Sequence, residues 1–174
     1  YSYVPPKNWS RKLWGINFRS PIMNAAGMFK NGECYEMIYK QGAGAYLGGT
    51  GTWNSWLGNV GILNNLQSIV RLSEIDESER KKILKNGIYL PFVVYPNSHS
   101  ASNCLGLPND GDVMNSYRAS NIKIDSNIPI GWSLMASPDS KLSENKLEYL
   151  IESMNFYSLA GVDFIEINES CPNV

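Results

Sequence analysis

The residues Asp163 to Val174, DFIEINESCPNV, set a cysteine between two amides at the end of an apolar run. An unperturbed thiol titrates near about 8.5, so Cys171 can serve as a base near neutral pH with modest help. Pro172 fixes its own backbone angle and restricts Cys171, which pins the thiol on its loop. An asparagine side chain offers a donor and an acceptor, and a pyrimidine ring presents both in alternation. Convergent asparagines therefore select a cyclic imide, because a mismatched ligand strands buried polar groups. Asn168 and Asn173 are the two amides that flank this cysteine. Taken singly, a free cysteine is more often an inert packing residue and an asparagine a turn or cap residue. Cys34 and Cys104 are read as packing residues. His99 is the single histidine and the three cysteines form no CxxC pair, so metal sites, disulfide frameworks and histidine triads are poor candidates.

Small or amide residues end each of four apolar runs: Ala26-Gly27, Gly48-Gly49-Thr50, Ser133 and Asn168. Such positions let a planar ring lie against backbone, or simply let a helix pack closely.

The elements that would carry these residues alternate. GINFRSPIMNAAG (15–27) reads as a short strand, a turn and a buried strand. GECYEMIYKQGAG (32–44) has Met37, Ile38 and Gln41 near helical spacing, with Gly42 as the cap. GAYLGGTGT (44–52) reads as a second core strand, IPIGWSLM (128–135) as a third and VDFIEIN (162–168) as a fourth. Between the last two, Ser143 is a fair N-cap, Leu147, Leu150, Ile151 and Met154 fall on one helical face, and Gly161 sits where a helix stops. A charged helix is expected over 73–86, a strand over 90–96, and turn chemistry over NCLGLPNDG (103–111). Apolar strands alternating with amphipathic helices argue for a parallel sheet with crossover helices. The strand tips are then the rim where a β/α barrel binds ligands.

At 174 residues the chain is long enough for one domain with a proper core, and 43% apolar with 18% charged residues describes a folded protein. The formal net charge is −1 and the densest basic cluster, RKK at 80–82, reads as a solvated helix face. A nucleic-acid footprint would need a basic stripe, so no nucleic-acid partner is expected. No membrane span and no signal peptide are legible, and a reducing, cytoplasmic setting fits the cysteines. With tyrosine first, a few residues are expected upstream.

NAAGMFKNGE, GAGAYLGGTGT, NCLGLPNDG and DFIEINESCPN occur in the order and rough spacing of the dihydroorotate dehydrogenase family. The chain resembles that family over 13–174, weakly over 53–102. The resemblance implies an α/β fold, a (β/α)8 TIM barrel of which residues 1–174 supply about the first four β/α units of one FMN-binding domain. Residues 53–102 would be an irregular insertion or a lid at the barrel rim. It implies the flavin FMN as cofactor, dihydroorotate and orotate as substrate and product, and pyrimidine biosynthesis as setting. Cys171 would be the catalytic base and the flavin the hydride acceptor. Lys30, Asn103, Asn168 and Asn173 would hold substrate, with Cys104, Leu105, Gly106 and Leu107 packing on it through backbone. Ala26, Gly27, Lys30, Gly49, Thr50, Ser133 and Asn168 would contact the cofactor. Soluble relatives carry the active-site lysine where this chain has Gly49; membrane-associated relatives carry it at the position of Lys30. The chain thus pairs a soluble-class base with a membrane-class lysine. The barrel's other half is expected in the same or a second chain, and the protein as a homodimer. Alternatives left open are a flavin-dependent pyrimidine-base reductase and an inactive half-barrel fragment.

Overall fold

The computed structural model describes residues 2–58, 93–97, 100–103, 105–137, 144–169 and 171, with 93–97 and 100–103 as backbone. The charged helix expected over 73–86 lies outside them. The chain divides into two compact units, 1–56 with 109–171, and 57–108 with 172–174. In chain order the elements are β1 (Arg11–Leu13), β2 (Ile16–Phe18), α1 (Tyr35–Lys40), β3 (Tyr46–Gly51), β4 (Val93–Asn97), β5 (Ser100–Asn103), α2 (Asp112–Ile124), β6 (Ile130–Leu134), α3 (Lys146–Leu159) and β7 (Phe164–Ile167). The second unit holds the antiparallel hairpin β4–β5, so the strand expected over 90–96 is the first arm of a hairpin whose return falls at 100–103.

The first unit is built on a parallel sheet of order β3-β6-β7, the sequential order of β/α units, and not on a closed barrel. Its three helices bury one face. Tyr35 and Ile38 of α1, Ala119 of α2, and Leu150 and Tyr157 of α3 form one cluster with Tyr46, Ile130, Trp132 and Leu134 of the strands. Trp132, fully buried, stacks on Tyr157 at 5.3 Å. Burying such a side chain is worth roughly 1.5–3 kcal/mol or more. The opposite face carries Gly131 and Phe164. A Cβ on Gly131 would stand 2.3 Å from the Phe164 ring, which packs on Phe18 of β2 at 5.9 Å.

The expected first core strand is replaced by something less regular. Residues 22–27 run beside β3 without a continuous ladder. Gly44 N donates to Ile22 O at 2.7 Å and Gly27 N to Gly49 O at 2.6 Å. Between them the Asn24 side chain does the work of a peptide: Nδ2 donates to Leu47 O at 2.6 Å, and Oδ1 accepts from Leu47 N at 3.1 Å. An amide reproduces the donor–acceptor pair of a neighbouring strand, so the buried Leu47 peptide stays satisfied.

Both helices expected from glycine stops end as expected, one residue earlier in name. Gln41 and Ala160 are the caps, and Gly42 (φ +88°) and Gly161 (φ +79°) follow in the left-handed region. In each, the glycine N–H and the next N–H close back on the helix in a Schellman pair: Gly42 to Tyr39 O, Ala43 to Ile38 O, Gly161 to Ser158 O, and Val162 to Tyr157 O. Three sequence expectations are corrected. Cys34, expected in the core, is exposed at the start of α1. The N-cap of α3 is Asn145, and its buried face is Leu150, Ser153 and Tyr157 with Met154 beside them; Leu147 and Ile151 are exposed. α2 has no expected counterpart, because its buried residues Asp112, Asn115, Ser116 and Ala119 are largely polar and leave no apolar stripe.

Asn24→Ala removes both partners of a buried peptide and should cost about 2–4 kcal/mol in urea unfolding. Asn24→Leu, similar in size but unable to bond, should recover less than half of the loss.

Candidate functional site

The tips of three parallel strands meet. Thr50 in β3 and Ser133 in β6 are buried, and their hydroxyl oxygens lie 3.0 Å apart. Asn168, one residue past β7, donates from Nδ2 to Thr50 Oγ1 at 2.8 Å. Register brings them there: Gly49 pairs with Ser133, Leu134 with Ile167, and Asn168 N donates to Leu134 O at 2.8 Å. The β3 ladder shifts register between Gly49 and Gly51, and Gly49 has φ +94°. A Cβ on Gly49 would stand 2.4 Å from Ser133 O, so only glycine fits on both counts.

Gly27, also at positive φ (+85°), lies against Gly49 through its N–H. The Lys30 ammonium donates to the Gly27 carbonyl. Burial lowers the Lys30 pKa below its ordinary value, and Glu33 pulls it partly back. Ala26 is half-buried beside them. Gly27, Lys30, Gly49, Thr50, Ser133 and Asn168 are thus brought together in one unit. Cys171 follows three residues after Asn168 as a half-buried free thiol, with no hydrogen bond among the described residues.

The remaining candidates belong to the second unit or lie outside the described residues. Asn103 ends β5 of the second unit, paired with Val93. Leu105, Gly106 and Leu107 belong to that unit too, the last two at φ +66° and +59°. Cys104 and Asn173 lie outside the described residues.

Sequence reasoning missed the groups that hold the end of β3. Asn109 donates from Nδ2 to Thr52 Oγ1 at 2.9 Å, and its Oδ1 accepts from Thr52 N at 3.3 Å and Gly111 N at 2.9 Å. Asp112 N donates to Thr52 O at 3.0 Å. The fully buried Asp112 carboxylate accepts from Ser153 Oγ at 2.6 Å and Tyr157 OH at 2.9 Å. Burial raises the Asp112 pKa against the pull of these two bonds, and pushes the Tyr157 phenol up as well, with the carboxylate adding to the push. The available signal was Asp112 at the start of a segment with no apolar period, which names no partner.

Residues 9–61 match the model of the family described as dihydroorotate dehydrogenase. The chain is related to the dihydroorotate dehydrogenase family over that stretch. No curated protein matches it. The matched stretch contains Ala26, Gly27, Lys30, Gly49 and Thr50, while Ser133, Asn168 and Cys171 lie beyond it and join the cluster by structure or by sequence order alone. The architecture of that family is a TIM barrel; the sheet here is parallel, carries its helices on one face and is not closed. Among the described residues no group of side chains is arranged to hold a metal ion, and no helix is long and apolar enough to cross a membrane.

The folded state binds the Asp112 proton more tightly than the unfolded chain, whose carboxyl sits near the ordinary 3.8. Asp112 therefore stabilises most at low pH, and its contribution falls as pH rises from there through the raised folded pKa. The stability difference between wild type and Asp112→Asn, read by denaturant unfolding across pH, should fall over that window and be flat above it. Asp112→Ala, which leaves two buried hydroxyls unpaired, should cost about 2–4 kcal/mol at neutral pH.

Proposed function

We propose that the protein is an FMN-dependent dihydroorotate dehydrogenase of pyrimidine synthesis, with the strand tips of its first unit forming the flavin-facing side of the site. The observation that carries this reading is the Thr50–Ser133–Asn168 cluster set beside the Gly27–Gly49 contact and Lys30. Positions 27 and 49 carry no side chain, while two hydroxyls, an amide and an ammonium supply a few directed polar groups. That composition suits the edge of a planar heterocycle with carbonyl and ring-nitrogen acceptors. FMN supplies a two-electron acceptor when bound.

The chain's residues have distinct roles in this reading. Cys171, as thiolate, takes the proton from the carbon beside the ring carbonyl of dihydroorotate onto Sγ. Lys30 provides a positive charge for the substrate carboxylate and for negative charge that develops in the site. Asn168, oriented by Thr50, presents a fixed amide, and Asn103 and Asn173 pair with the substrate imide. Residues 104–107 pack on the ring through backbone. Lys30 favours an acid over the neutral ring of a pyrimidine-base reductase, which has no anion for a half-buried ammonium to meet. A reducing cytoplasm keeps Cys171 as a thiol. The other half of the barrel, in the same chain or another, completes the phosphate end of the cofactor site, and the assembled protein is a homodimer.

The test is an anaerobic visible spectrum of the purified protein before and after dihydroorotate. A flavin band should bleach on addition. Cys171→Ala should slow bleaching by about 10²–10⁴-fold while leaving the flavin bound. Lys30→Met should weaken dihydroorotate far more than it weakens neutral dihydropyrimidines. A flavin band indifferent to dihydroorotate, or an alanine variant as fast as wild type, would overturn the reading. Residues 1–174 alone should hold FMN weakly in equilibrium dialysis.

A further inference from the structure

The first 32 residues hold five of the chain's 15 basic residues and none of its 16 acidic ones. Within them, the β1–β2 hairpin turns through Trp14 and Gly15, both at positive φ, +51° and +80°. This is the hand that a two-residue hairpin loop requires, and Asn-Gly is the sequence that meets it without strain. A bulky side chain in the left-handed region is a steric outlier. Trp14 accepts that conformation at a tip where it is 83% exposed and makes no ring contact among the described residues. Leu13 beside it is 50% exposed and Trp9 39%. All of β1 is exposed.

Cations flank these apolar groups. Lys7, Arg11 and Lys12 are exposed and form no ion pair among the described residues. The Arg11 guanidinium donates to Asn8 O at 2.9 Å and Ser10 O at 2.8 Å, which holds it against the 3-10 turn Lys7–Trp9. Lysine and arginine on an edge strand are ordinary protection against unwanted pairing. Tryptophan and leucine there work against that protection, and tryptophan works against the turn as well. Local rules broken without local gain mark positions chosen for something else.

We infer that the β1–β2 hairpin docks on an anionic lipid bilayer surface. Trp14 and Leu13 seat at headgroup level, where an amphipathic indole is favoured. Lys7, Arg11 and Lys12 meet lipid phosphates and carboxylates, an attraction that fades beyond a Debye length. The hairpin lies on the bilayer surface rather than across it. This inference stands apart from the dihydroorotate reading and uses none of its residues.

The test is cosedimentation of the chain with vesicles of phosphatidylcholine alone and of phosphatidylcholine with phosphatidylserine at about 7:3, a strongly anionic surface. Binding should be confined to the anionic vesicles and should drop several-fold when salt rises from about 0.1 M to 1 M, where the Debye length falls to about 3 Å. Trp14→Asn should lower vesicle affinity at least about fivefold while Tm stays equal or rises, because asparagine suits the turn. Lys12→Glu should lower it comparably. Equal binding to both vesicle types would overturn the inference, as would Trp14→Asn binding like wild type. So would dimerisation through Trp14 in sedimentation velocity, or single-stranded RNA binding, in a chain that ignores vesicles.

Discussion

Strand β3, α2 and α3 meet at one buried carboxylate, and the candidate site is where it is because of that meeting. Asp112 is out of water entirely, and two hydroxyls from α3 answer its oxygens. Such a carboxylate is tolerated only with its bonds complete, because an unpaired buried charge costs several kcal/mol. Its own N–H fastens Thr52 O, and the absence of a side chain at Gly51 gives it room: a Cβ there would stand 2.2 Å from Asp112 Oδ1. The end of β3 is thus fastened from the helix side at residues 51 and 52. Asn109 fastens residue 52 again through both its backbone and its hydroxyl. With the strand held there, Thr50 has one place for its hydroxyl, against Ser133 and Asn168.

The same sheet is supported unequally on its two faces. The helix-bearing face packs Tyr46, Ile130, Trp132 and Leu134 into a continuous core. On β7 burial declines along the strand, from half-buried Phe164 and Ile165 to exposed Glu166 and Ile167. α3 leaves Leu147 and Ile151 exposed on the side away from the core. A parallel strand with such an edge invites pairing, and a further β/α unit beside β7 would cover the strand and the helix together.

What could be read from the sequence follows from which forces leave a local trace. Apolar runs at 46–51, 130–134 and 164–167 and glycines after helices are local, so β3, β6, β7 and the ends of α1 and α3 were legible, as were the small and polar residues at the strand tips. α2 was not, because it turns Asp112, Asn115 and Ser116 inward and its burial is driven by hydrogen bonds across more than forty residues. The face of α3 was misread for the same reason: Ser153 and Tyr157 face inward to meet that carboxylate, which leaves Leu147 and Ile151 outside. Asn24 looked like one residue of a strand, and nothing in its neighbours announces that its side chain would stand in for one. Lys30 was legible by motif, its burial only by structure.

That burial bears on which substrate the site suits. A half-buried ammonium loses part of its hydration, which lowers the Lys30 pKa, and the Gly27 carbonyl and the more distant Glu33 carboxylate replace that hydration only in part. An anion arriving beside Lys30 makes up the difference, and by linkage the anion's affinity and the lysine's protonation strengthen each other. A neutral pyrimidine base offers no such coupling and would leave the ammonium as strained as before. A ligand that carries an anion therefore gains from Lys30 by relieving a charge the fold has already partly desolvated.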